Sequence, residues 1–273
     1  LNLGSGGISD QLIENMPGDL FFLLQEKPLE VPDPCELLPP RRRSGSVDPG
    51  PQSVFADSPP ERNIPVIMAL LAFWYGTLLG AETGAIIPYS QRLSLLPSFL
   101  QQLEMESLGK SASREGEPLT YQTGTVIWGQ PGTNAQHAFF QLLHQGRLLI
   151  PVDFIGFTEV ETDLSDQQRL LNQNLVAQMS ALAFGDHSSD QHRHYPGNRP
   201  SSALIFNRFD AASLGQLIAL YEHKVFTLAA LFNINAFDQW GVELGKRLAR
   251  NLSQGRAEQP SIQRIMERLT PGQ

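Results

Sequence analysis

The sequence predicts an α/β protein: a three-layer α-β-α sandwich on a mainly parallel sheet. From Phe55 onward, short apolar runs ended by Gly or Pro alternate with longer amphipathic runs. That is the pattern of strands joined by crossover helices. At 273 residues, 41% hydrophobic and 18% charged, the chain is long and apolar enough to bury a substantial core.

Residues 1–54 stand apart. "KPLEVPDPCELLPPRRRSGSVDPGPQSV" (Lys27–Val54) is rich in Pro, Ser, Gly and Arg without a period, so linker or disorder is expected. "LGSGGISD" (Leu3–Asp10) is glycine-rich. A phosphate cradle needs a strand before such a loop, and none precedes it, so a flexible end is favoured. Arg41, Arg42 and Arg43 read as a solvated charge cluster. A chain that opens at Leu1 rather than Met is expected to be a fragment, and no secretory leader is expected.

The ordered elements follow. "NIPVIMALLAFWYGTLLG" (Asn63–Gly80) has Pro65 where a first helical turn tolerates it. The run is borderline short for a membrane span and lacks a basic flank on its far side, so a buried helix is expected. Thr83–Tyr89 reads as a buried strand. Arg92–Gln102 reads as a helix with Leu93, Leu96, Phe99 and Leu100 on one face. Thr125–Gly129 and Leu148–Gly156 read as strands, with a helix over Gly132–Gly146 between them. Leu164–Phe184 is a long amphipathic helix, Gly185–Pro200 a loop and Ser202–Phe209 a strand. Ala211–Leu231 and Phe237–Leu252 are helices, the second with Asp238 as N-cap.

The net charge of -8 gives no global attraction for nucleic acid or an anionic membrane. An anionic substrate needs local positive groups. The single cysteine, Cys35, excludes a disulfide framework and suits a reducing, cytoplasmic setting.

Three residues attract a chemical reading. Glu106, in "LQQLEMESLGKS", sits where a helical run breaks into a polar loop beside Gly109. A carboxylate there can point into a cleft as a general base, although most loop glutamates are simply solvated. His137 falls at the third position of a helix capped by Asn134, where the helix dipole favours the neutral ring. A bland first-turn role is the competing reading. Lys246, in "FDQWGVELGKRLA", either pairs with Glu243 on the surface or reaches an oxygen of a substrate. His144 and His223 read as structural, and His187, His192 and His194 as a solvated loop rather than a metal site.

"QTGTVIWGQPGTNAQHAFFQLLHQG" (Gln122–Gly146) and "FDQWGVELGK" resemble the central segment and C-terminal signature of the glucose-6-phosphate isomerase family. "AETGAIIPYSQ", "LQQLEMESLGK", "GNRPSS" and "LGQLIALYEHKVF" fall in the same order at compatible spacing, from about Phe55 to about Asn251. The resemblance implies a C-terminal sugar-isomerase (SIS) domain over residues 55–252, followed by a tail, 253–273. It implies isomerisation of glucose 6-phosphate and fructose 6-phosphate through a cis-enediol, the interconversion used in glycolysis and gluconeogenesis, with no metal or organic cofactor. By resemblance, Glu106 is the base that moves a proton between C2 and C1, and His137 assists ring opening. Lys246 helps ring opening and contacts substrate, and Gln102 binds substrate. The partners implied are a hexose 6-phosphate and a second copy of the chain. In the family the His137 equivalent serves the neighbouring subunit's site.

Family members are roughly twice as long. Their Ser/Thr-rich phosphate loop and the arginine of a "GGRYS"-like motif are absent, and Gln130 stands for a usual glutamate. The alternative readings are therefore a non-catalytic sugar-phosphate binding module or a truncated product without function. Lost remote binding energy lowers turnover as well as affinity.

Overall fold

The computed structural model describes residues 58–159, 165–256 and 259–270. The head, with its glycine-rich stretch, Arg41–Arg43 and Cys35, lies outside them. The chain divides into two compact units between Ala236 and Phe237.

In the first unit, α1 (Ile64–Phe73) opens with the Asn63 side chain accepting from Val66 N at 3.3 Å and a proline in the first turn. It widens into a π turn at Trp74–Leu78. Met68 and Ala69 are buried, but Leu70, Trp74, Leu78 and Leu79 are exposed, so the expectation of a buried helix is corrected. The run is apolar on every side, and only one side meets the core. Among the described residues no helix is long and apolar enough to cross a membrane.

β1 (Thr83–Pro88) follows. A short turn at Gln91–Leu93 precedes α2 (Leu96–Leu100), which continues as a second π turn, Gln101–Glu106. The expected single helix over Arg92–Gln102 is thus broken and shifted. Proline is tolerated only in a first turn, so the helix restarts with Pro97 there.

β2 (Val126–Gly129) leads into α3 (Gly132–Ala138) and α4 (Phe140–Gln145). They are two helices rather than the expected one, because Phe139 leaves helical geometry at φ -146°. Its ring packs edge-on against Trp128 at 4.7 Å. β3 (Val152–Phe157), α5 (Ser165–Phe184), β4 (Ser201–Phe206) and α6 (Ala211–Leu231) complete the unit. Asp210 and Ser213 start α6 with a reciprocal capping box, 2.8 and 2.9 Å.

The four strands are all parallel, in the order β2-β1-β3-β4. Side chains alternate across β1, and so do the layers. Ala85, Ile87 and Tyr89 pack with Ala135, Phe140, Leu143, Leu175 and Met179 of α3, α4 and α5. Ile86 packs on the other side with Met68, Leu96, Leu100, Leu217 and Tyr221 of α1, α2 and α6. This is the expected α-β-α sandwich on a parallel sheet.

The second unit holds α7 (Trp240–Ser253) and α8 (Pro260–Leu269), the latter inside the stretch read as a tail. Asp238 is not the N-cap of α7. The helix starts at Trp240 after Gln239, whose side chain makes no cap bond. Phe237 adopts φ 64°, and this left-handed residue delays the helix.

Gly129 ends β2 at φ 153°, and a Cβ there would fall on the backbone of Ile86 in β1. Gly129→Ala is expected to lower unfolding free energy by about 1–3 kcal/mol or more. Gly215→Ala, in open space on α6, should raise it by about 1 kcal/mol. Urea titration of both variants checks the pair, and the reverse order would contradict the packing described.

Candidate functional site

Residues Leu96, Leu100, Glu104 and Leu108 are all buried, four apart. Such spacing drifts by about 40° per step around an α-helix. The wider π turn takes up that drift and keeps the four on the core side. π turns recur at functional sites.

Glu106 is the last residue of this turn, and the helix runs on to Leu108. The expected position in a loop past the helix end is corrected. Two residues apart on a helix is roughly the opposite side of its axis. Glu104 is therefore buried, while Glu106 is half-buried and turned outward. Gln102, four residues earlier, is exposed.

The helix end is tied down. The buried Thr123 hydroxyl donates to the Leu108 carbonyl at 2.6 Å and accepts from Lys110 N at 3.3 Å. Lys110 Nζ donates to the Glu106 carbonyl at 2.8 Å.

His137 does not lie in a first turn. α3 begins at Gly132 after Pro131, Asn134 is inside the helix, and His137 occupies the last turn, exposed. The N-terminal dipole argument loses its premise. The early start follows from Gly132, which packs on the Tyr89 ring where any Cβ would clash. Gln136 Nε2 donates to Tyr89 Oη at 3.2 Å. Burial pushes the Tyr89 phenol above its ordinary pKa, partly offset by that bond.

The sheet separates the two groups. Glu106 is carried by the α1-α2-α6 layer and His137 by the α3-α4-α5 layer. Lys246 belongs to the second unit, on α7, and is exposed. Its Nζ sits 2.7 Å from Glu243 Oε1, the surface pair weighed from the sequence.

His144 is structural, as expected. Its Nε2 lies 2.8 Å from Gln178 Oε1, and its ring packs against Phe140 and Tyr195. The His187–His194 loop is anchored by Gln145, whose amide donates to the carbonyls of His192 and His194. Among the described residues no group of three or more His, Cys, Asp and Glu is placed to hold a metal ion.

Sequence reasoning missed the polar centre of the core. Lys224 Nζ lies 2.7 Å from Glu104 Oε1, with side chains only 6% and 4% exposed. Tyr221 Oη donates to Asp153 Oδ2 at 3.1 Å, and the Lys224 ammonium lies over the Tyr221 ring. Burial pulls the Lys224 pKa down, but Glu104 and Asp153 together hold it above the ordinary value. Burial raises Asp153, against the pull of Lys224 and the Tyr221 hydrogen bond. Tyr221 is driven well above its usual value by burial, then by the Asp153 and Glu104 charges. Signals existed. Lys224 falls on the buried stripe of Leu217, Tyr221, Val225 and Leu228, and Asp153 interrupts an apolar strand.

Architecture and motifs together define, first, a parallel α/β domain of the sugar-isomerase type. The chain belongs to the phosphoglucose isomerase family, whose model matches residues 51–265. That is wider than the Phe55–Asn251 stretch covered by the motifs. Glucose-6-phosphate isomerase of Saccharophagus degradans is 48% identical over 218 residues, covering 73% of this chain and 40% of the relative. That of Deinococcus radiodurans is 50% identical over 209 residues, 72% of this chain and 39% of the relative. The crystal structure of a glucose-6-phosphate isomerase from Chlamydia trachomatis superposes with a TM-score of 0.72 at 42% identity. It covers 77% of this chain and 42% of that one. The chain spans about two fifths of the length of the curated relatives it matches.

A carboxylate whose pKa is raised on folding costs stability once pH rises above its unfolded value and through its folded one. Asp153 is such a group. Asp153→Asn is expected to change Tm relative to the parent by an amount that grows more favourable as pH rises above about 4. Thermal unfolding from pH 4 to 8 checks this, and a pH-independent difference would contradict it.

Proposed function

We propose that this chain carries the proton-transferring part of a hexose 6-phosphate isomerase, interconverting glucose 6-phosphate and fructose 6-phosphate. Glu106 takes the proton from C2 of the open-chain aldose, giving a cis-enediol, and returns it to C1. The placement of Glu106 carries this reading: outward and half-buried, on a turn whose other side is anchored in the core. Shielding from water on one side and access on the other are what a carboxylate base needs. Gln102, on the same side one turn earlier, donates its amide to a sugar hydroxyl. His137 assists ring opening, and the Lys246 cation offsets negative charge developing on oxygen.

His137 and Glu106 lie on opposite faces of one sheet, which supports a site completed by two copies of the chain. Each copy then lends His137 to the Glu106 of the other, as an isologous dimer allows.

A coupled assay of fructose 6-phosphate isomerisation on the purified chain tests the reading. Turnover is expected, and Glu106→Gln should lower kcat by about 100-fold or more. Unchanged turnover in that variant would remove Glu106 as the base. A folded parent that binds the sugar phosphate without turnover would favour a non-catalytic binding module. Mixing Glu106→Gln with His137→Ala, each inactive alone, should restore about a quarter of parental activity through mixed dimers. No gain on mixing would refute the two-copy site.

A further inference from the structure

The buried pair serves none of the steps above, yet one member lies two residues from the base. Glu104 belongs to the same π turn as Gln102 and Glu106, and its partner Lys224 comes from α6, 120 residues away in sequence. A cavity of about 60 Å3 adjoins the pair, lined among others by Tyr75, Thr83, Asp153 and Ser202. It has room for a water or two but not for a sugar or phosphate, so a ligand does not explain the charges. Nor does stability, because well-packed apolar residues replace a buried ion pair at little or no loss. What such a pair does supply is register. Removing one partner strands a charge out of water, so slippage of the turn relative to α6 is penalised. A π turn needs such a device, since collapse to α geometry removes the extra residue from the turn. Everything beyond it would then rotate by about 100°.

We propose that the Glu104–Lys224 ion pair is the register lock of the π turn Gln101–Glu106, holding the Glu106 carboxylate and the Gln102 amide outward in fixed orientation. Its benefit to catalysis rests on the isomerase reading, in which Glu104 and Lys224 are positioning residues that touch no substrate. Thr123 fixes the helix end from outside, but its bonds reach only Leu108 and Lys110. Within the turn, Glu104 is the buried residue.

The test compares the full chain with Glu104→Gln/Lys224→Met, which removes both charges and keeps the volumes. Glu104→Asp, which keeps the charge but shortens its reach, is the second variant should the first fail to fold. Two quantities are read: amide hydrogen exchange over residues 101–108 against residues 217–228, and kcat against KM for fructose 6-phosphate. The lock predicts exchange in 101–108 faster by about tenfold or more, with 217–228 still protected. It also predicts kcat lower by about tenfold or more at a KM within about twofold of the parent. Unchanged exchange in 101–108 of a folded variant overturns the lock, whatever the activity. Faster exchange with kcat unchanged overturns the positioning role. A parent chain without turnover refutes the isomerase reading, and the exchange result still decides the lock.

Discussion

Two opposite charges stand 2.7 Å apart between α6 and the turn that follows α2, both almost wholly shielded from water. Neither tolerates the loss of the other, because an unpaired charge at that depth is far more costly than an unmade hydrogen bond. The surrounding structure is arranged around them. Asp153 on β3 and Tyr221 on α6 complete a polar centre inside an otherwise apolar layer. Gln102 and Glu106 face outward because Glu104 faces in.

The sheet imposes the second constraint. Alternation along β1 sends Ile86 to one layer and Ala85, Ile87 and Tyr89 to the other. α2 and its π turn belong to the first layer, α3 to the second. Glu106 and His137 are thereby on opposite sides of four parallel strands. The sheet thus carries the two groups in different helix layers. Lys246 belongs to a unit that begins at the left-handed Phe237.

The sheet and its helices were legible in the sequence because apolar runs report burial directly. Thr83–Tyr89 contains β1, Leu148–Gly156 overlaps β3 but stops one residue short of its end, and Leu164–Phe184 begins one residue before α5. Breaks were less visible. Pro97 falls in the first turn of a new helix, but the apolar spacing of Leu93, Leu96 and Leu100 continues across it; Phe139 looks like any core aromatic until its packing on Trp128 is known. Glu106, His137, Lys246 and Gln102 emerged from motif resemblance, and spacing alone left them as separate possibilities. The Glu104–Lys224 pair was hidden because its halves are 120 residues apart. "LQQLEMES" shows two carboxylates and gives no sign of which one turns inward. The trace that remained was Lys224 on an apolar helical stripe, where a cation demands a partner.

Proton transfer by a carboxylate leaves a chemical signature in the product. Conversion of fructose 6-phosphate by this chain in D2O, followed by NMR at C2 of the glucose 6-phosphate formed, reads it. A base on Glu106 acting through an enediol predicts solvent deuterium at C2, because the carboxyl proton exchanges while the intermediate is bound. Turnover with protium wholly retained at C2 would contradict a Glu106 carboxyl that exchanges its proton with solvent during the enediol's lifetime.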